Sequence, residues 1–381
     1  MKLQLFLVCL LMFLVQINHA EEEETKAYTT DDYDDVNYTM LNFKWENWNE
    51  GNPCSVTLPK FNSLGLMVIY IIVFVFGIIG NSVVVFVVAS MKRGRASTDV
   101  YLMHLAIADL LFCLTLPFWA VDVHFGWSFG NFSCKLLSGF QEVSVYSGVF
   151  LLACISVDRY FAIVRATRAL SSHHLLVKGI CGVVWLTAGL LSLPVVIKRE
   201  SMYADELQRF ICYENLTGES VDKWRVSLRV LRHTMGFFLP LLVMVVCYGW
   251  TLVTLFHTRN QHKHKAMRVI LAVVSAFILC WLPYNVIVLI DTLIRGGSLK
   301  VEVCETQYSV EVTRNVTRVI AFLHCAVNPV LYAFIGEKFR NQLLSALFQH
   351  GLISQRLQMA YRKTSASSVG SFRSRNTSMS M

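Results

Sequence analysis

The chain has 381 residues, 55% hydrophobic and 16% charged, with 34 Lys and Arg against 26 Asp and Glu for a formal charge of +8. A soluble globular domain carries about a quarter charged residues, so this composition excludes that class and points to a membrane protein. Seven runs are apolar and long enough to cross about 30 Å of hydrocarbon. They lie at 64–90, 99–123, 135–164, 178–197, 228–257, 266–294 and 311–335, so an all-α membrane protein is expected, a seven-transmembrane helix bundle over 64–336.

Lys2, the apolar run Leu3–Val15 and the small or polar residues up to Ala20 read as a signal peptide over 1–20, although Asn18 stands where a small residue is preferred. Residues 21–63 follow as an acidic tail with ten acids against three lysines, a net of −7. Such a tail on a basic chain attracts a basic soluble partner. Asp32, Tyr33, Asp34 and Asp35 lie within it, and sulfation of Tyr33 would add further negative charge. Basic residues gather after the first segment (Lys92, Arg93, Arg95), after the third (Arg165, Arg168, Lys178) and around the fifth-to-sixth turn (Arg259, Lys263, Lys265, Arg268). The amino terminus is therefore expected outside and the carboxyl terminus inside. Asn37, Asn131 and Asn215 each open an N-x-S/T glycosylation acceptor on the outer side.

Of eleven cysteines, Cys54, Cys134, Cys212 and Cys304 fall on the outer side, where oxidation is favoured. Four cysteines allow three pairings. The pairing adopted is Cys134–Cys212, tying the loop 198–227 to the top of the third segment, with Cys54–Cys304 tying the tail to the last outer loop. No spacing resembles a zinc or redox motif, and no cofactor, metal or nucleic acid is expected.

Polar groups inside the segments come next. Asn81, Asp109 and Asn328 each sit about 15 Å above the inner face at 1.5 Å per residue, so three segments carry hydrogen-bonding groups at one depth. An unpaired carboxylate there costs about 3 kcal/mol, which favours a shared polar pocket holding water or an ion. Asp158, Arg159 and Tyr160 close the third segment, and an acid beside an arginine so near hydrocarbon suggests a switch. Pro117, Pro194, Pro240, Pro283 and Pro329 sit within five segments, each removing a backbone hydrogen bond and permitting a kink. Trp281 precedes Pro283 by two residues and reads as a lever beside a hinge. Residues 337–348 place Phe339, Leu343, Leu344, Leu347 and Phe348 on one face, an amphipathic helix for the inner membrane surface. The tail 349–381 ends in nine Ser or Thr and no acid over 364–381, a substrate for phosphorylation that would reverse its charge.

Gly80-Asn81, Leu105-Ala106-x-Ala108-Asp109, Asp158-Arg159-Tyr160, Trp185, Cys280-Trp281-x-Pro283 and Asn328-Pro329-x-x-Tyr332 occur in order and together resemble the rhodopsin-like G-protein-coupled receptors. Within that family, Thr115-Leu116-Pro117, Trp127-x-Phe129-Gly130, the outer pair Cys54 and Cys304 and the acidic tyrosine-bearing tail resemble the chemokine receptors. The stretches Ala153–Tyr160, Cys280–Asn285 and Tyr332–Arg340 are similar to the CXC receptors for interleukin-8 and its relatives. The resemblance implies a basic CXC chemokine as ligand, an inhibitory heterotrimeric G protein, a receptor kinase and arrestin acting on the tail, and chemotaxis. It implies ligand contacts at Arg225, Arg229, Asp291 and Arg295, and coupling through Asp109, Asp158, Arg159, Tyr160, Tyr248, Trp281, Pro283, Asn328, Pro329 and Tyr332.

Four positions depart from the pattern. Arg318 stands where chemokine receptors commonly hold an acid near the outer end of the seventh helix; Gly148 and His324 replace the sodium-pocket serine and asparagine; Lys263 replaces an acid, leaving Arg159 to Asp158. A retinal protein is excluded by the absence of lysine from 311–335, and a hydrolase by the absence of H-E-x-x-H or paired intramembrane acids at the depth of Asp109. Seven segments without visible repeats do not suggest a transporter. A scavenging chemokine receptor without G-protein coupling would share every outer feature.

Overall fold

A computed structural model of the chain describes residues 63–91, 96–165, 174–205, 208–214, 221–257, 261–295, 304–335, 337–351 and 353–354. Helices α1 (Ser63–Ser90), α2 (Ser97–Phe125), α3 (Gly130–Ile163) and α4 (His174–Lys198) are continuous. A hairpin of β1 (Arg199–Ala204) and β2 (Arg209–Glu214) follows. Helix α5 (Val221–His233) passes through a π turn at Thr234–Phe238 into α6 (Leu239–Phe256), and α7 (Gln261–Arg295) is continuous. Helix α8 (Cys304–Phe322) gives way at Leu323 to α9 (His324–Ile335), and α10 (Glu337–Gln349) completes the order. Seven stretches are long and apolar enough to span a membrane: α1 to α4, α5 with α6, α7, and α8 with α9. Each helix satisfies its own backbone, which hydrocarbon requires.

The burial pattern is that of a bundle in lipid. Leu105, Phe112, Leu151, Leu152, Ile155 and Met244 are buried between helices, while Phe76, Val183, Leu186, Leu279 and Phe256 lie on the outer faces. Exposed side chains of that size would be anomalous in water, but here the solvent is itself apolar. Helix α3 is central, touching α2, α4, α6 and β1.

Of the five intramembrane prolines, two coincide with interruptions. Pro240 is the second residue of α6, and the π turn opens immediately before it, since its ring and missing N–H disturb the preceding turn. In the seventh span Ala326 N and Val327 N both donate to Leu323 O, at 3.1 and 3.0 Å, and the helix is broken there. Pro329 also frees the carbonyl four residues before it, Cys325 O, which accepts from Asn81 Nδ2 at 2.7 Å. Beside that contact α1 comes so close that a Cβ on Gly80 would lie 2.7 Å from Pro329 Cβ. The helices around Pro117, Pro194 and Pro283 continue without a break.

On the outer side Cys134 at the top of α3 is bonded to Cys212 in β2, with Cα atoms 5.6 Å apart. The strands pair antiparallel, with Ser201 opposite Cys212. Trp127 ties the first outer loop to the same hairpin, its N donating to Phe210 O at 2.8 Å and its indole Nε1 to Gly130 O at 2.9 Å. Gly126 turns the chain there at φ +91°, where a Cβ would meet Phe210 O at 2.9 Å. Cys54 and the side chains of Cys304 and Lys263 lie outside the described residues, as do the acidic tail, Asn37, Asn215 and the terminal Ser/Thr cluster. On the inner side Phe339 and Leu343 of α10 pack on a cluster of Val87, Val88 and Met91, so part of the expected amphipathic face is turned to the bundle.

Candidate functional site

Beneath the hairpin a cavity of about 390 Å³ opens between the outer halves of the helices, with Trp119, Arg199, Trp281, Tyr284 and Arg318 among its walls. Its charged side chains are cross-linked between helices. Arg232 of α5 closes on Glu142 of α3, Nε to Oε2 at 2.9 Å. Arg229 of α5 donates to Asp291 of α7 at 2.6 Å, and Arg314 of α8 reaches the same oxygen at 3.4 Å while also donating to Glu311 at 2.6 Å. Arg199 donates through NH1 to Cys212 O at 3.1 Å, and burial pulls its guanidinium below its ordinary pKa, with Glu214 opposing. His233 shares a 2.7 Å bond with Asn285 Oδ1, and because only a ring N–H can donate to that oxygen, the Nδ1–H tautomer is present.

These observations revise the expected charged rim. Arg229 and Asp291 do meet, but Asp291 is only 6% exposed and is bridged to two helices instead of standing free. Arg225 and Arg295 lie on α5 and α7, their side chains outside the described set. Arg318 lies in the cavity wall with its guanidinium against the Tyr284 hydroxyl. The sequence reading passed over Glu142, Arg232, Arg199 and Arg314. The available signal was an acid and an arginine close to the outer ends of two otherwise apolar segments.

The floor of the cavity leads to the polar level. The Trp281 ring lies 5.3 Å from that of His324, and His324 Nε2 is 3.5 Å from Asp109 Oδ1. Asn328 Nδ2 donates to the other oxygen of Asp109 at 2.8 Å. Asp109 and Asn328 therefore meet as expected, but Asn81 joins through the backbone of the seventh span and not through Asp109. His324 stands beside Asp109 at this level. It lies four residues before Asn328, and so on the same helix face. Phe112 and Phe277 flank its ring at 5.1 and 6.0 Å. Among the described residues no group of three His, Cys, Asp or Glu is arranged to hold a metal ion.

At the inner end Asp158 is 2% exposed and receives Arg159 through both Nε, at 3.1 Å, and NH2. Among the described residues this is the ion pair of Arg159, as Lys263 had suggested. Tyr248 and Tyr332 are buried, Tyr248 beside Ser156 and Tyr332 against Phe339 at 6.1 Å between ring centres. Tyr160 is half-buried next to Phe161. Asn131 is exposed at the first turn of α3, its Oδ1 accepting from Ser201 N at 3.1 Å.

Residues 80–332 match the family described as 7 transmembrane receptor (rhodopsin family). The chain is 48% identical over 317 residues to C-X-C chemokine receptor type 1 of Oryctolagus cuniculus, covering 83% of this chain and 88% of the relative. It is 45% identical over 337 residues to C-X-C chemokine receptor type 1 of Homo sapiens, covering 88% and 95%. Against C-X-C chemokine receptor type 2 of Homo sapiens it is 48% identical over 303 residues, covering 80% and 83%. With seven spans, an outer cavity roofed by a disulfide-tied hairpin and an Asp-Arg pair at the inner end, the chain belongs to the CXC chemokine receptors of the rhodopsin-like seven-transmembrane family, a class of receptors and not of enzymes.

Proposed function

We propose that this chain is a plasma-membrane receptor for interleukin-8-like CXC chemokines, coupled to an inhibitory-class heterotrimeric G protein and acting in leukocyte chemotaxis. The amino terminus is outside and the carboxyl terminus inside. The observation that carries this reading is the unbroken line of contacts from the cavity floor to the polar level, Trp281 to His324 to Asp109 to Asn328. A ligand that touches Trp281 acts on the same network in which the seventh span is interrupted.

Binding proceeds in two stages. The acidic tail, with Asp32, Tyr33, Asp34 and Asp35, attracts the basic body of the chemokine, a step that accelerates encounter and weakens with salt. The ligand's leading segment then enters the cavity and competes for the inter-helix ion pairs of Arg229, Asp291 and Arg314. A ligand shifts the equilibrium only by its differential affinity for the two states. In the active state α7 pivots at Pro283, Trp281 and Tyr332 repack, and Arg159 leaves Asp158 for the G protein. A receptor kinase then phosphorylates the terminal Ser/Thr cluster and arrestin docks on it, while α10 rests on membrane lipid.

The test is inhibition of cyclic-AMP formation in cells expressing the chain, on adding an interleukin-8-type chemokine with and without pertussis toxin. A toxin-sensitive response is expected. Binding with no response would replace this reading by a scavenging receptor, and absence of binding would remove the ligand class.

A further inference from the structure

A second recess, of about 280 Å³, lies between α5 and α7, walled by Val230, His233, Thr234, Phe238, Leu289 and Thr292. It faces the bilayer: Val230 and Leu289 are 47% and 36% exposed, among side chains whose surroundings are hydrocarbon. His233 is the wall it shares with the outer cavity. Only three of the lining side chains are polar. The Thr292 hydroxyl is committed to Val288 O at 2.7 Å. His233 donates from Nδ1 to Asn285, which leaves Nε2 as an acceptor. Among the described residues neither that nitrogen nor the hydroxyl of the exposed Thr234 has a hydrogen-bond partner, and neither is sealed off. Hydrocarbon holds no water for such groups, so they cost free energy until a lipid supplies the partner.

Depth decides which lipid. The fifth span, Val226–Phe256, has 31 residues. At 1.5 Å per residue it is about 46 Å long, about 8 Å beyond a 30 Å hydrocarbon core at each end. His233 lies seven residues, about 10 Å, below Val226, and so about 2 Å inside the outer boundary of the hydrocarbon. A sterol carries its single hydroxyl at that boundary, with a rigid apolar body running inward from it, whereas an acyl chain fills a groove without bringing a donor. The π turn Thr234–Phe238 sets the arrangement: Gly236 packs inward, where a Cβ would stand 2.7 Å from Tyr146 Cε1, while Thr234 is exposed. Inward from His233, Asn285 Nδ2 donates to Trp281 O at 2.9 Å, two residues before Pro283.

We infer that this groove binds one sterol molecule of the outer leaflet, its hydroxyl hydrogen-bonded to Thr234 and His233 and its ring body on Val230, Phe238 and Leu289, so that bilayer sterol acts on Trp281 through His233 and Asn285. The inference goes beyond the receptor reading and stands whichever ligand the outer cavity takes.

The experiment uses full-length receptor in phosphatidylcholine vesicles containing a ring-diazirine photoreactive cholesterol, with the labelled peptides mapped by mass spectrometry. Saturable labelling of α5 and α7 around Val230, Thr234 and Leu289 is expected. Cholesterol should displace the probe at roughly 2- to 12-fold lower concentration than cholestane, the same body without the hydroxyl, the ratio that one neutral hydrogen bond supplies. Val230→Trp and Leu289→Trp fill the groove from its exposed side and should abolish this labelling, while Val183→Trp, on the exposed face of α4, should keep it and so controls for added bulk. In wild type, cholesterol should slow amide exchange over 281–285, and in Val230→Trp it should not. Labelling confined to other helices, or unchanged in both groove-filling variants, would overturn the site. Equal displacement by cholestane would overturn the sterol as its occupant, and amide exchange blind to cholesterol would overturn the link to Trp281.

Discussion

Replacing Asp158 by Asn changes one charge at the inner end of α3 while keeping the shape of the side chain. The pair it disturbs is not an ordinary surface bridge, because the Asp158 side chain is 2% exposed and that of Arg159 is 17% exposed. Hydrogen bonds to a charged partner contribute about 1.5–3 kcal/mol and neutral ones about 0.5–1.5, so the substitution removes about 1–1.5 kcal/mol from the arrangement that holds Arg159 inward. A difference of that size moves a two-state equilibrium by roughly 5- to 12-fold. Starting from a minor state at about 1%, ligand-free activity rises to about 5–10% of receptors. The assay is nucleotide exchange on an inhibitory G protein by ligand-free membranes at equal receptor number, with Arg159→Ala beside it as the variant that binds ligand but loses coupling. Basal exchange in Asp158→Asn no higher than wild type would refute the idea that this pair holds the resting state.

Two further predictions concern assembly. Gly80→Val would place its Cβ 2.7–2.8 Å from Pro329 Cβ and Cγ, whereas a Cβ at Gly182 meets nothing within 4 Å. The first substitution should destabilise purified receptor by about 1–3 kcal/mol in thermal unfolding and the second should not, and similar midpoints would contradict the close approach of α1 to α9. Cys134→Ser or Cys212→Ser opens a linkage spanning 78 residues. Chain entropy puts its upper limit at about 4.5 kcal/mol, less here because inserted helices already hold the loop ends at the rim. Both variants should lose chemokine binding in proportion to the lowered melting temperature, and unchanged binding in both would show that the hairpin keeps its place without the bond.

The seven spans were legible because hydrocarbon imposes a simple demand, about 20 apolar residues in sequence. A closed barrel, the other structure that satisfies its backbone in lipid, is built from strands of only about 10 residues. Asp109 and Asn328 were legible for a related reason: a polar group in lipid must find a partner, and depth along a helix follows from counting residues. Arg159 could be assigned to Asp158 because the two are adjacent in the chain. The outer cavity was less legible. Glu142 and Arg232 lie 90 residues apart, Arg229 and Asp291 62 apart, and nothing in either local stretch says which cation will face which anion.

Proline shows the same division. Each of the five was expected to permit a kink, since each lacks a donor, and the helix is interrupted near Pro240 and Pro329 while it continues through Pro117, Pro194 and Pro283. At Pro329 the freed carbonyl found Asn81 of α1, 244 residues away. By itself the sequence determined how many helices cross the membrane and at what depth their polar groups lie, because the bilayer acts on each segment separately. Only the tertiary structure decided that His324 stands between Trp281 and Asp109 and that Arg318 lies against Tyr284, because those facts depend on the rotation of neighbouring helices about their own axes, which is set by side-chain packing among all of them.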